Sequence, residues 1–139
     1  MKKFELTSES IVNIFGKKLF RVKALVEFGS VKAGELGGYI EKEENLSHNG
    51  NAWVSGDAKV SGNAWVYGNA DYATIKGFGT EFRTTTFFKC KDGAVRVGCG
   101  CFYGDLEQFR NQVKDTRKGK IAEEYLMIAD LMEKHFKEE

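Results

Sequence analysis

From position 51 the chain reads N-A-W-V-S-G, D-A-K-V-S-G, N-A-W-V-Y-G and N-A-D-Y-A-T, four consecutive units of six residues in one register. Asn or Asp opens each unit, Ala follows, and an apolar residue stands fourth, at Val54, Val60, Val66 and Tyr72. Side chains alternate along a strand with period two, so each Ala and the apolar residue two places on point to the same side. Gly closes the first three units at positions 56, 62 and 68. Gly followed by Asn or Asp is turn chemistry that tolerates positive φ, so the chain bends once per hexad. Short strands joined by corners, with Ala and Val filling a narrow interior, describe a three-sided parallel β-coil. The preceding N-L-S-H-N-G, residues 45–50, fits more loosely as a fifth unit.

This pattern resembles the hexapeptide-repeat left-handed β-helix family, whose coils take three hexads each. Five hexads then make under two coils, and at one strand spacing per coil the prism is only about 10 Å tall. A stack that short needs caps over its open ends. The flanking segments are expected to supply them.

Upstream, residues 18–26 alternate apolar and polar side chains, and residues 11–15 followed by Gly16-Lys17 look like the partner strand of a hairpin. The Gly-rich stretch 31–47, V-K-A-G-E-L-G-G-Y-I-E-K-E-E-N-L-S, leads into the first coil. Downstream, residues 84–91 and 94–102 flank Lys91-Asp92-Gly93, a hairpin signal. If Asp92-Gly93 is a two-residue turn, Phe88, Cys90, Val95, Val97, Cys99 and Cys101 share one face, opposite Phe87, Lys89, Arg96 and Phe102. Asp105 with Gln108 three residues on is a helix start, and Leu106, Phe109 and Val113 give that helix an apolar stripe. Ile121, Tyr125, Ile128, Met132 and His135 or Phe136 recur at helical spacing in a longer, second helix. The expected fold is mainly β with an α/β C-terminal cap. It comprises an N-terminal antiparallel hairpin (1–30), a short left-handed parallel β-helix of about two coils (31–76), and a β-hairpin with two α-helices (77–139).

The strand pair, V-K-A-G-x-x-G-G-x-I-E, N-L-S-x-x-G and the W-V hexads together look like a group of phage and prophage hexapeptide-repeat proteins, related to enterobacterial acetyltransferase-like ones. The likeness runs over about residues 4–70, and the T-T-T-F-F and C-G-C-F-x-G-x-L-x-x-F strings resemble the C-terminal segment of the same phage proteins. The resemblance implies a homo-oligomer, trimer or dimer. It also implies a protein that acts on its host by masking a protein or sequestering a small nucleotide.

Charge supports that direction by exclusion. Twenty-one Lys and Arg against twenty Asp and Glu leave a formal +1, which gives no electrostatic drive toward nucleic acid or an anionic membrane. No run approaches the roughly 18 apolar residues of a membrane span, so a cytoplasmic protein is expected. Three cysteines without an export signal read as reduced thiols.

Candidate sites are few. Cys90, Cys99 and Cys101 could offer thiolates to zinc, but Cys-x-Cys on a strand holds its sulfurs about 7 Å apart and no Cys-x-x-Cys knuckle accompanies it. Buried packing is the expected role of all three, and no cofactor is expected. His48 could act as the general base of an acyltransferase, or, in the place that Val54 and Val60 take, close the end of the prism. Glu35, Glu41, Glu43 and Glu44 with Asp57 and Asp71 form an acidic neighbourhood. Gly77-Phe78-Gly79-Thr80 lacks the strand, lysine and helix of a phosphate-binding loop and reads as a joint. Trp53 and Trp65 each precede an inward Val and so point outward. With Tyr67 they are candidate anchors for a subunit or partner, unless the caps of the same chain cover them. Three function classes follow: a non-enzymatic binding protein of phage type, which the resemblance casts as an inhibitor of a host defence, an acyltransferase that uses His48, and a structural module that polymerises through open coil edges.

Overall fold

The computed structural model describes residues 2–12, 16–68, 71–79, 84–99 and 102–137. It is mainly β: two four-stranded sheets, neither closed, are followed by two helices. In the first sheet β1 (Phe4–Val12) pairs antiparallel with β2 (Lys18–Ala24), β2 antiparallel with β3 (Leu36–Ile40), and β3 parallel with the two-residue β4 (Lys59–Val60). The N-terminal hairpin therefore exists, but its first strand is the whole of Phe4–Val12. Residues 13–15 of the expected partner strand lie outside the described residues.

The hexads fill the interior as their pattern requires. Ala52, Val54, Ala58, Val60, Ala64 and Val66 are all buried, and they share one core with Phe4, Val22, Ile40, Leu46 and Phe88. Gly50, Gly56 and Gly62 at the corners carry φ of 66°, 59° and 65°, the left-handed region open to glycine. The backbone pairing does not by itself show the expected two-coil left-handed β-helix. Among the described residues parallel pairing is confined to β3 with β4 and to the single bridge from Leu46 to Val66. Elsewhere the repeat bonds to the flanks: Gly38 N–H donates to Val54 O at 2.7 Å, and Trp65 N–H to Lys89 O at 2.9 Å. A repeat this short offers its own backbone few parallel partners, so the capping segments satisfy the rest.

The rise from one layer to the next also differs from three hexads. Tyr39 pairs with Lys59 and Leu46 with Val66, each twenty residues on. The two extra residues shift the loose first unit, so Leu46, not His48, takes the inward place opposite Val66. The turn Glu43–Asn45 precedes it, and Asn45 is wholly buried.

The second sheet is an antiparallel meander of β5 (Tyr72–Ile75), β6 (Thr85–Lys89), β7 (Val95–Cys99) and β8 (Phe102–Asp105). The hairpin at Asp92 is present, but with three residues in its loop. Cys90 N–H donates to Ala94 O, and Gly93 sits at φ 84°. Phe87 therefore opposes Val97, and Phe88 opposes Arg96. One residue of register moves the returning strand's side chains to the other face, so Phe88 and Cys90 enter the core behind the hexads without Val95 and Val97. Phe87 and Val97 enter a second core, under the helices. Thr85, Thr86, Phe87 and Phe88 are all buried, because β6 is covered on both faces.

The helices follow their sequence signals closely. α1 (Leu106–Thr116) opens with Asp105 accepting from Gln108 N–H at 2.8 Å, while Gln108 Oε1 accepts from Asp105 N–H at 2.9 Å. It buries Phe109 and Val113, and α2 (Gly119–Phe136) buries Tyr125, Ile128, Ala129, Met132 and Phe136. Arg110 ties the pair together through Asp130 and Glu133, each at 2.9 Å. No helix among the described residues is long and apolar enough to cross a membrane.

Candidate functional site

Val66 points into the core, so its neighbours Trp65 and Tyr67 point out. Trp65 is 47% exposed and Tyr67 53%, and their rings meet edge to face with centroids 5.5 Å apart. They form the common wall of two open grooves. The larger, about 770 Å³, is lined by Glu43, Glu44 and His48 among others, and the smaller, about 630 Å³, by Asp71, Lys89, Lys137 and Phe136. Lys91 borders both. Asp71 receives Tyr67 N–H and Gly68 N–H at 3.0 and 2.9 Å and pairs with Lys89 at 3.7 Å, which holds the turn after Tyr67. The first groove thus carries two carboxylates with Lys91, and the second carries three lysines with Asp71.

Trp53 does not join it. It too precedes an inward Val, but the N-terminal segment covers it. The ring is 5% exposed and stands edge-on to Phe28 with centroids 5.3 Å apart. A β-carbon on Gly37 would come within 2.7 Å of the indole. Trp53 is an intramolecular anchor, and the outward surface is left to Trp65 and Tyr67.

His48 closes the end of the first core. Its ring stacks on Phe4 at 4.1 Å with a 9° tilt, and Nδ1 accepts Lys3 N–H at 3.0 Å. The proton of the neutral ring therefore sits on Nε2, which donates to Glu43 Oε1 at 2.8 Å. That bond, together with Lys2 at 3.2 Å, holds the Glu43 carboxyl below its ordinary range. With both nitrogens engaged, His48 offers no lone pair to an acceptor substrate. Beside it Lys3 is buried, donating from Nζ to Ala52 O at 2.6 Å with Phe28 4.5 Å beneath, and burial lowers its pKa.

The three-residue hairpin loop puts backbone positions 90 and 99 out of phase, and the Cys99 side chain and the whole of Cys101 lie outside the described residues. Cys90 is buried, and burial pushes its thiol up to about 11, so it stays protonated near neutrality. Among the described residues no three His, Cys, Asp or Glu side chains cluster as metal ligands would. The acidic residues also disperse into separate duties: Glu35 accepts Lys32 N–H, Glu41 accepts Gly62 N–H, and Asp57 pairs with Lys76. Gly77, Phe78 and Gly79 follow β5 inside the second sheet rather than joining the repeat to it, with Phe78 packed on the second core, and Thr80 lies outside the described residues.

Sequence reasoning missed Lys3, Asn45 and the basic groove. Asn45 had a signal, since Asn or Asp opens the other hexads as well. Lys89, Lys91 and Lys137 had none, because Lys137 reaches the groove only through the docking of α2. No protein-family model, curated protein or solved structure matches the chain.

Proposed function

We propose that the chain is a non-enzymatic binding protein of phage type, built on a short coil of left-handed β-helix kind, that masks a host protein through the Trp65–Tyr67 ridge. The carrying observation is the exposed edge-to-face aromatic pair bordering two grooves that each carry side chains of both signs of charge. Rigid aromatic side chains bury much area for little lost entropy, and they are enriched at the centres of interfaces. A surface bearing both signs of charge suits a protein partner, which carries both, better than a nucleotide, which carries one. Inhibition of a host defence is the role the phage resemblance attaches to such a surface. The basic groove supports a second reading, capture of a small nucleotide with its base on Trp65 and its phosphates on Lys89, Lys91 and Lys137. An acyltransferase draws no support from His48, whose nitrogens are both bonded.

A photo-crosslinking residue at position 65, with position 115 on α1 as the control, tests the proposal in bacterial cytosol. The expected result is one host protein attached at 65 and absent at 115. Equal labelling at both positions would overturn it, and a titrating nucleotide that protects Trp65 from quenching would select the second reading.

A further inference from the structure

The second helix is apolar on two faces. One buries Tyr125, Ile128, Ala129, Met132 and Phe136, while the other carries Met127 and Leu131, which are 70% and 59% exposed. Glu124, Met127, Leu131 and Lys134 follow one another at steps of three, four and three residues. Those steps place all four on one stripe, with the seam spacing of two coiled helices. Glu124 is half-buried and Lys134 exposed, and neither has an ion-pair partner among the described residues. Asp130 and Glu133, on the side of the helix that meets α1, are instead bonded to Arg110 at 2.9 Å each.

The order of residue types along the stripe selects what can cover it. Glu124 lies three residues before Met127, and Lys134 three residues after Leu131. Read from its other end, the stripe has the same spacing with its charges inverted. In an antiparallel pair of identical helices, Met127 of each copy therefore faces Leu131 of the other, and Glu124 of each faces Lys134. Glu123, exposed beside Glu124, adds to the acidic end. A parallel pair would set Glu124 against Glu124 and Lys134 against Lys134, so charge excludes it.

We propose that the exposed stripe of α2 is a contact between two copies of this chain, an isologous antiparallel helix pair whose two-fold axis passes midway between Met127 and Leu131. The pairing buries both exposed apolar side chains of each helix and forms two Glu124–Lys134 ion pairs. The apolar centre is small, so the dimer is reversible, with a dissociation constant on the order of 100 μM. It uses no residue of the Trp65–Tyr67 ridge and stands apart from the masking function.

Sedimentation equilibrium on the full chain from about 20 μM to about 1 mM, which brackets that constant, should show monomer passing into dimer. Leu131→Asp should stay monomeric throughout. Glu124→Lys and Lys134→Glu should each weaken the dimer about tenfold, because each sets two pairs of like charges face to face. Both changes in one chain invert the two ends together and should restore the wild-type constant. That double variant separates a lost contact from a lost fold, since it carries both substitutions at once. It should not pair with the wild-type chain, whose Glu124 and Lys134 would then meet like charges. A wild-type chain still monomeric at about 1 mM, a dimer indifferent to Leu131→Asp, or a double variant no tighter than the single ones would each overturn the pairing.

Discussion

The side-chain amide of Asn45 donates to the carbonyl of Ala64 at 3.0 Å, joining two layers of the repeat inside a wholly buried environment. The same Nδ2 reaches Gly62 O at 3.1 Å, and Oδ1 accepts Glu41 N–H and Lys42 N–H at 3.1 and 3.0 Å. One residue thus satisfies two carbonyls and the Lys42 N–H, and shares the Glu41 N–H with Val60 O at 3.1 Å. Asn45→Ala strands the two carbonyls and the Lys42 N–H and should cost about 2–4 kcal/mol, measured as a shift in the urea midpoint. Asn45→Asp should not rescue it, since a carboxylate cannot donate to the two carbonyls. A change within about 0.5 kcal/mol would show that water replaces the amide.

Gly38 lies where β3 crosses the hexads. A β-carbon there would stand 2.7 Å from Ala58 O and 2.7 Å from Val54 Cγ1. The first is backbone and has no rotamer to yield, so Gly38→Ala should destabilise by about 2–3 kcal/mol. Gly98→Ala is the control, because its nearest neighbour would be Lys59 O at 3.7 Å, an ordinary contact. Equal thermal shifts for the two would contradict the packing of β3 on the repeat.

Glu43 is depressed below its ordinary pKa, first by the bond from His48 and then by Lys2. A carboxyl whose folded pKa lies below its unfolded value of 4.5 stabilises the fold above that pH and loses its contribution as pH falls through the folded pKa. Glu43→Gln should therefore be less stable than the parent at pH 7. The difference should close as the pH is lowered past the carboxylate range. The group is partly exposed, so the gap at neutral pH is small and screened by salt. A gap that widens in acid would refute the His48–Glu43 bond.

Cys90 should be silent to thiol reagents in the native state. It is buried and its thiol is raised to about 11, so little reactive thiolate exists at pH 8. Mass mapping of the Cys90 peptide after brief alkylation should find it unmodified until denaturant is added. Rapid native labelling would mean that the hairpin opens readily between the two cores.

Local pattern carried much of this protein. The inward Ala and Val of the hexads, the capping box of Asp105 and Gln108, and the buried stripe of α2 were all legible, because each depends on neighbours within a turn or two of the chain. Tertiary structure decided what those neighbours could not. One extra residue in the loop before Ala94 moved Val95 and Val97 from the face of Phe88 and Cys90 to that of Phe87. A twenty-residue layer, rather than three hexads, turned Leu46 inward and left His48 to cap Phe4. Trp53 and Trp65 occupy the same place in the same repeat, yet Phe28 covers one and solvent meets the other. A repeat determines which way a side chain points; what waits there is set by segments far along the chain, whose docking depends on the sum of many weak contacts.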